Sequence, residues 1–324
     1  MSALPVVGRR RHTATVVLRP VDALREALRR PPHERGPVAR VRLRVAGRVQ
    51  AGQVRPLAPG QVHTVRNLSG DTVLVDFRLP AGRYRIELER DPRERRDAFY
   101  EALDAAQRDL VWDPDAPPPG LPDGTPHPSR LVVLRLRPSA LYPFPAGSTL
   151  VRGALLWYDG APLDGAAVSD AAALVDTSRV DGRGSFALAF PAPSASGPAT
   201  LQLDTGGVAA AAKPSGAAYL AGWPAQVATQ WRRGETVSVA QPSLAGVVLG
   251  PEGRPLPGAT VTVVGRPGAL ATGAGGEWRY HFPPGTAGGS VDVVVQHPDH
   301  AAVQLSNVPF AAGAASRAPV VRMN

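Results

Sequence analysis

The chain has no cysteine among its 324 residues, which excludes disulfides, thiolate metal sites and thiol nucleophiles. Lysine is almost missing as well: of 36 Lys+Arg, only Lys213 is lysine. Aromatic residues are sparse at 6%. No stretch approaches the roughly 18 apolar residues that span a bilayer, so no membrane span is expected. Met1 to Arg11 lacks an apolar run that could serve as the core of a signal peptide. The expectation is a soluble protein kept in the cytoplasm, or released in a particle by a route that needs no cleavable signal.

Glycine and proline are abundant, at 34 and 35 residues. Such punctuation fits many short strands joined by turns better than long helices. Hydrophobic content of 44% is enough to bury cores, and charged content of 19% does not point to wholesale disorder. Charge is unevenly placed. Before Ala146 there are 25 Arg against 16 Asp+Glu, a net of +9, whereas from Ala146 onward 11 basic residues balance 11 acidic ones.

The C-terminal half matches itself at fixed offsets. Gly153 … Gly160-Ala161-Pro162-Leu163-Asp164-Gly165-Ala166-Ala167-Val168 aligns with Gly246 … Gly253-Arg254-Pro255-Leu256-Pro257-Gly258-Ala259-Thr260-Val261, and in both the first Gly lies 13 residues before the Ala. Further on, Gly184-Ser185-Phe186 … Phe190-Pro191 aligns with Gly276-Glu277-Trp278 … Phe282-Pro283. Glycines in these turns supply positive φ, and the proline fixes the extended segment that follows. Phe186, Leu188 and Phe190, like Trp278, Tyr280 and Phe282, recur at alternate positions and point to one face. Each copy ends in a further strand, Glu235 to Val239 and Ala318 to Arg322.

This pattern of Gly-x-Pro-Leu-x-Gly-Ala-x-Val followed by Gly-x-Trp and Phe-Pro-Pro-Gly resembles the carboxypeptidase regulatory-like, or transthyretin-like, β-sandwich. The first copy departs from it by a Gly/Ala-rich insertion, Gly206 to Gly222. The resemblance implies fold and says little of activity, because such modules are accessory domains of unrelated proteins. The transthyretin-like fold also includes a purine-pathway hydrolase and iron dioxygenases. The hydrolase ending Tyr-Arg-Gly-Ser is replaced here by Val320-Val321-Arg322-Met323-Asn324, and the paired tyrosines and histidines of the dioxygenases are not seen at compatible spacing. The stretch Tyr142 to Gly153 resembles proteins associated with phage-tail-like contractile injection particles.

Thr13 to Pro145 reads as a third, divergent sandwich. Val41, Leu43 and Val45 alternate with Arg40, Arg42 and Arg44, one face buried and the other lined by arginine. Asp71 to Phe77, Leu79 to Leu88 and Leu131 to Arg137 supply further strands. Helices are expected around Val21 to Arg30 and over about 91–112. In the second, Asp91 caps, Pro92 fits the first turn, and Phe99, Leu103, Ala106 and Leu110 form a stripe at helical spacing. The fold expected is therefore mainly β: two or three tandem Ig/transthyretin-like β-sandwiches, the N-terminal one with an inserted helix. The divisions are a tail over 1–12, a basic domain over 13–145 with a Pro-rich loop, and modules over 146–243 and 244–324.

No nucleophile with a base is visible, nor a phosphate-cradling Gly-x-x-x-x-Gly-Lys, so catalytic residues are none and no cofactor is expected. His281, His297 and His300 could be imagined as three metal ligands. A polar turn explains the last two better, and no metal is expected. Asp113, Asp115 and Asp123 lack the spacing of a calcium loop. Pilin-type crosslinks from Lys to Asn or Asp are not expected, since the one lysine falls in a loop. Arginines could attract nucleic acid, but Glu87, Glu89, Asp91 and Glu94 are mixed in and no aromatics interleave, so an acidic protein partner is favoured. Two functional classes follow. The first is a non-enzymatic structural subunit or accessory of a large assembly, docking through Arg40, Arg42, Arg44, Arg83, Arg85, Phe99 and Leu103. The second is a carbohydrate- or cell-surface-binding protein using exposed Trp157, Tyr158, Trp223 and Trp231.

Overall fold

The structure, a computed structural model, describes residues 15–29, 43–58, 66–67, 73–76, 82–88, 99–103, 105–112, 129–192 and 194–324. Two compact units divide the chain, Met1–Pro143 and Phe144–Asn324. Among the described residues no helix is long and apolar enough to cross a membrane.

In the first unit the elements run β1 (Thr15–Asp22), α1 (Ala23–Ala27), β2 (Leu43–Gln50), β3 (Gln53–Arg55), β4 (Arg66–Asn67), β5 (Val73–Asp76), β6 (Gly82–Leu88), α2 (Ala105–Arg108), β7 (Asp109–Trp112) and β8 (Ser129–Leu136). They make two sheets, ordered β4-β5-β1-β8 and β3-β2-β6-β7. Alternation places Leu43 and Val45 of β2, Tyr84 and Ile86 of β6, and Leu134 and Leu136 of β8 in the interior. The helix expected over 91–112 is corrected in its described part: the α-helix there is Ala105–Arg108, and Asp109–Trp112 form a strand. Leu110 lies on β7, which pairs antiparallel with β6 from Gly82↔Trp112 to Arg85↔Asp109. Strand pairing there satisfies backbone groups and brings Asp109 to Arg85, and this outweighs the helical stripe. The proposed cap at Asp91 and the Pro-rich loop from Asp113 lie outside the described residues. The earlier helix is present but shorter than expected, with Asp22 as its N-cap accepting from the Arg25 amide at 3.0 Å.

Asp22 is also the centre of a buried polar knot. The hydroxyls of Tyr100 and Tyr142 both donate to its Oδ2, at 2.7 and 2.6 Å, and the two rings meet edge to face. All three side chains are buried. Burial, followed by the nearby carboxylate, pushes both phenols far above their ordinary pKa, so each stays a donor. The knot joins the end of β1, the segment around Tyr100 and the turn after β8. The same segments are tied along the backbone, where the Glu101 amide donates to Arg137 O and the Ser139 amide to Phe99 O.

The second unit contains β9 (Thr149–Ala154), β10 (Ala167–Ser169), β11 (Thr177–Arg179), β12 (Ser185–Phe190), β13 (Ser196–Asp204), α3 (Gly216–Ala221), β14 (Gln226–Arg232) and β15 (Thr236–Val239), then β16 (Ser243–Leu249), β17 (Thr260–Val263), β18 (Ala269–Ala271), β19 (Glu277–His281), β20 (Gly289–His297), β21 (His300–Phe310), β22 (Ala315–Arg317) and β23 (Val321–Arg322). The first sandwich pairs sheet β11-β10-β13-β14 with β12-β9-β15. The second pairs β18-β17-β20-β21 with β19-β16-β22, to which β23 adds beside β16. The repeat is thus a repeat of topology. The turn glycines behave as the sequence requires: Gly160, Gly165, Gly253 and Gly258 all have positive φ. Phe186, Leu188 and Phe190 and their counterparts Trp278, Tyr280 and Phe282 are all buried. Gly153 and Gly246, which open the two copies, lie beneath the rings of Phe186 and Trp278 across the strand pair. A Cβ there would fall 2.6 and 2.7 Å from those rings.

The strand orders also show how far the first unit matches. In each sandwich the first strand lies between an antiparallel partner and a parallel one: β5-β1-β8, β12-β9-β15 and β19-β16-β22. In each, the opposite sheet begins with the second strand flanked by the third and by the strand after the crossover. Among the described residues the first unit therefore repeats the plan with one extra strand, β4.

Tyr142→Phe should destabilise the chain by about 1.5–3 kcal/mol, the usual worth of a hydrogen bond to a charged group. A denaturant titration followed by tryptophan fluorescence reads this, and an unchanged midpoint would mean that the knot contributes nothing.

Candidate functional site

The insertion Gly206–Gly222 contains a 3-10 turn, Ala210–Ala212, and then α3. Small residues let this segment fold tightly: the Gly216 amide donates to Lys213 O, and the helix starts from Ser215 in the left-handed region. Tyr219, the large residue in a run of Ala and Gly, is thereby driven inward and is 1% exposed.

Its hydroxyl is the meeting point of three segments. It lies 3.1 Å from Leu156 O in the first sandwich and 2.9 Å from His281 O at the end of β19 in the second, and donates toward both. It accepts at 3.0 Å from Nε2 of Gln241, in the connection between β15 and β16. Gln241 in turn copies a strand partner. Its Nε2 donates to Leu156 O at 2.9 Å, and its Oε1 accepts from the Leu156 amide at 2.8 Å. A direct backbone bond completes the link, from the His281 amide to Tyr158 O at 2.9 Å. Burial is the main cause that raises the Tyr219 pKa far above its ordinary value, so the phenol remains a donor.

Aromatic rings fill the space around these bonds. Tyr219 contacts Trp157, Tyr158 and Trp223 at centroid separations of 5.9, 5.6 and 6.0 Å. Tyr158 stacks on Tyr280, which meets Phe282 edge to face, and Phe282 stacks on Phe310 at 4.2 Å. Gly268, at φ +87°, lets the Tyr158 ring lie directly on the backbone of the second sandwich. Buried residues of both sandwiches consequently form one continuous cluster. The joint is filled with packed rings rather than open.

This geometry corrects the expectation of exposed aromatics. Trp157, Tyr158 and Trp231 are buried, at 4%, 3% and 7% exposure. Trp223 is half-buried, with its Nε1 enclosed. Trp157, Tyr158 and Trp223 pack at the joint and Trp231 stacks on Phe190, so none of the four offers a free platform for a sugar. The partner that covers the first three, Tyr219, comes from an insertion without strand periodicity.

The arginine face is only partly described, since Arg40 and Arg42 lie outside the described residues. Arg44 pairs with Glu87 at 2.7 Å and Arg85 with Asp109 at 2.5 Å, while Arg83 is exposed. Leu103 is buried within the first unit and Phe99 half-buried, which corrects the expectation that Leu103 faces a partner. The histidines do not gather. His281 sits at the joint, whereas His297 and His300 face each other across the β20–β21 turn. Among the described residues no group of three or more His, Cys, Asp or Glu could hold a metal. Lys213 forms an ion pair with Asp159 beside the joint.

Tyr219→Phe should cost about 1–3 kcal/mol by removing the side-chain donor to His281 O. Tyr219→Ala should split thermal unfolding of the second unit into two transitions, and a single transition would show that the sandwiches are coupled by other contacts. His281 adds a pH dependence. Burial, then Arg279, lowers its pKa below the ordinary 6.5, with Asp159 opposing. The folded state thus binds fewer protons than the unfolded one, so this contribution is complete above pH 6.5 and is lost as the pH falls toward the lowered value. Melting curves of the native chain should therefore drop below that pH more steeply than those of His281→Gln, and parallel curves would refute the assignment.

No family model matches the chain, and no curated protein matches it. Solved structures do match, with little overlap in detail. A streptococcal ancillary pilin is 14% identical over 96% of this chain and 98% of its own, with a TM-score of 0.21. The full-length major pilin SpaD of Corynebacterium diphtheriae is 8% identical over 96% and 97%, with a TM-score of 0.23. A cohesin–X-dockerin complex of Acetivibrio cellulolyticus is 16% identical, with a TM-score of 0.21; the match covers 25% of this chain and spans 56% of that one. At such TM-scores these likenesses carry no weight in assigning a role.

Proposed function

We propose that the chain is a non-enzymatic structural and interaction protein, a subunit or accessory of a larger assembly. The observation that carries this reading is the filled joint. Two-domain binding proteins and enzymes commonly keep a cleft between their domains, whereas here Tyr158, Tyr219 and Tyr280 occupy that space. The insertion serves to hold two sandwiches at one fixed angle. Fixed geometry is what a building element needs, and what a domain-closing catalyst avoids.

The basic first unit supports docking on an acidic protein surface. It holds the whole charge excess, +9 before Ala146, and Arg83 is exposed on it. The stretch Tyr142 to Gly153 favours an accessory of a phage-tail-like contractile injection particle, assembled in the cytoplasm.

Isolation of the tagged chain from its native cells at low salt, followed by imaging, tests the reading. A multi-subunit particle should co-purify, dissociate as salt rises, and be depleted by Arg83→Glu. A monodisperse monomer at every salt concentration would sink it.

A further inference from the structure

Strand register in the second C-terminal sandwich sets two arginines on either side of an alanine. Ala245 of β16 pairs with Arg279 of β19 on one side and with Arg317 of β22 on the other. The three residues form one row across three strands, and the outer two lie about 10 Å apart, two strand spacings. Leu244 and Val248 of the same strand are buried, so Ala245 and Val247 alternate onto the opposite face. A methyl group between two guanidinium stems leaves a notch.

The notch belongs to a cleft of about 700 Å³, whose remaining lining includes Ala269, Ala271, Ala318 and Val320. Both arginines are exposed. Among the described residues of this sandwich, ion pairs join Arg254 to Glu252 and His297 to Asp299, and neither Arg279 nor Arg317 enters one. Two carboxylates border the cleft, but each is directed elsewhere. Asp159 is paired with Lys213. Glu277 bends back over its own turn, where a Cβ at Gly273 or Gly275 would collide with its carboxylate oxygens. The guanidinium groups are therefore the uncompensated charge of the cleft.

We propose that this cleft binds an acidic saccharide, with Arg279 and Arg317 each engaging a carboxylate or sulfate group. Guanidinium presents a planar fork that matches such anions with two parallel hydrogen bonds. The cleft volume lies within the roughly 300–1,000 Å³ of small-molecule sites. Two anion sites separated by two strand spacings suit acid groups carried on nearby sugars of one chain. A peptide adding as a strand finds little purchase, because β18 and β22 are three residues each. Single-stranded nucleic acid needs aromatic platforms, and the cleft's aromatic residue, Trp278, is buried. The first sandwich has no equivalent: its matching row is Ala187–Arg152–Ser238, and Arg152 is drawn against the Phe144 ring. One such site in the second unit follows. The inference is independent of the assembly reading, since it concerns a ligand of the second unit alone.

Calorimetric titration of the full chain with an oligogalacturonate, a sulfated chondroitin oligosaccharide, a neutral oligosaccharide of equal length and a polyglutamate peptide tests it. At least one acidic saccharide should bind with one-to-one stoichiometry, weakening as salt rises, while the neutral one does not bind. Preference between the first two separates carboxylate from sulfate. Arg279→Ala and Arg317→Ala should each weaken binding about ten-fold, the loss of a charge-assisted bidentate contact. Arg254→Ala should leave it unchanged, and melting temperatures should stay constant throughout. Failure of both acidic saccharides to bind, equal binding of polyglutamate, or binding indifferent to both arginine substitutions would each overturn the proposal.

Discussion

One phenol hydroxyl bridges the backbone carbonyls of two sandwiches. Leu156 O and His281 O belong to different sandwiches; Leu156 O also accepts from Gln241, whereas His281 O would lose its side-chain donor if Tyr219 were absent. A buried carbonyl left alone costs about 1–3 kcal/mol, so the folded insertion stabilises the joint. Gln241 is held by the same group and by Leu156, which fixes the connection between the sandwiches as well. The aromatic stack from Trp157 to Phe310 then closes around these bonds. Its packing depends on the polar centre, because the rings can approach only if the backbone beneath them is satisfied.

The division of labour along the chain follows from this. The first unit holds its own polar centre at Asp22 and carries the excess positive charge. The second spends its one long insertion on rigidity and is electrically neutral overall. Neutrality in sum still leaves local imbalance, since charges cancelled on one face are free on another. Arg44 and Arg85 are matched by acids within their sheet, while Arg279 and Arg317 are not. Charge counting by segment therefore misses a pair that strand register alone brings together.

Much of the fold was legible because it is repetitive. Gly153 and Gly246 recur with the rings of Phe186 and Trp278 at one offset, and a ring lying across a strand demands a glycine beneath it. Alternation marked Leu43 and Val45 for the core for the same reason. Features that depend on non-repeating contacts were not legible. Tyr219 sits in a Gly/Ala stretch without periodicity, and nothing in its neighbourhood announces a partner 62 residues away at His281. Trp157 and Tyr158 looked exposed because their cover comes from that same stretch. The span before Trp112 read as helix because Phe99, Leu103 and Leu110 share a helical spacing. Pairing with β6 decided otherwise, and pairing partners are a tertiary property. Small clues were present: a lone tyrosine among alanines is a large apolar body with nowhere local to pack.

In every sandwich the first strand and the last lie side by side and point the same way. The chain therefore enters at one end of that sheet and leaves at the other. Tension applied along the polypeptide would slide these two strands past each other rather than peel them apart. Their hydrogen bonds would then share the load and must fail together, in contrast to a hairpin that opens one bond at a time. In the first unit this ladder extends over eight residue pairs, from Thr15↔Ser129 to Asp22↔Leu136, and in the second sandwich of the second unit it is interrupted between β22 and β23. The first sandwich of the second unit has four such pairs, Thr236↔Leu150 to Val239↔Gly153, so resistance to shear is concentrated in the first unit.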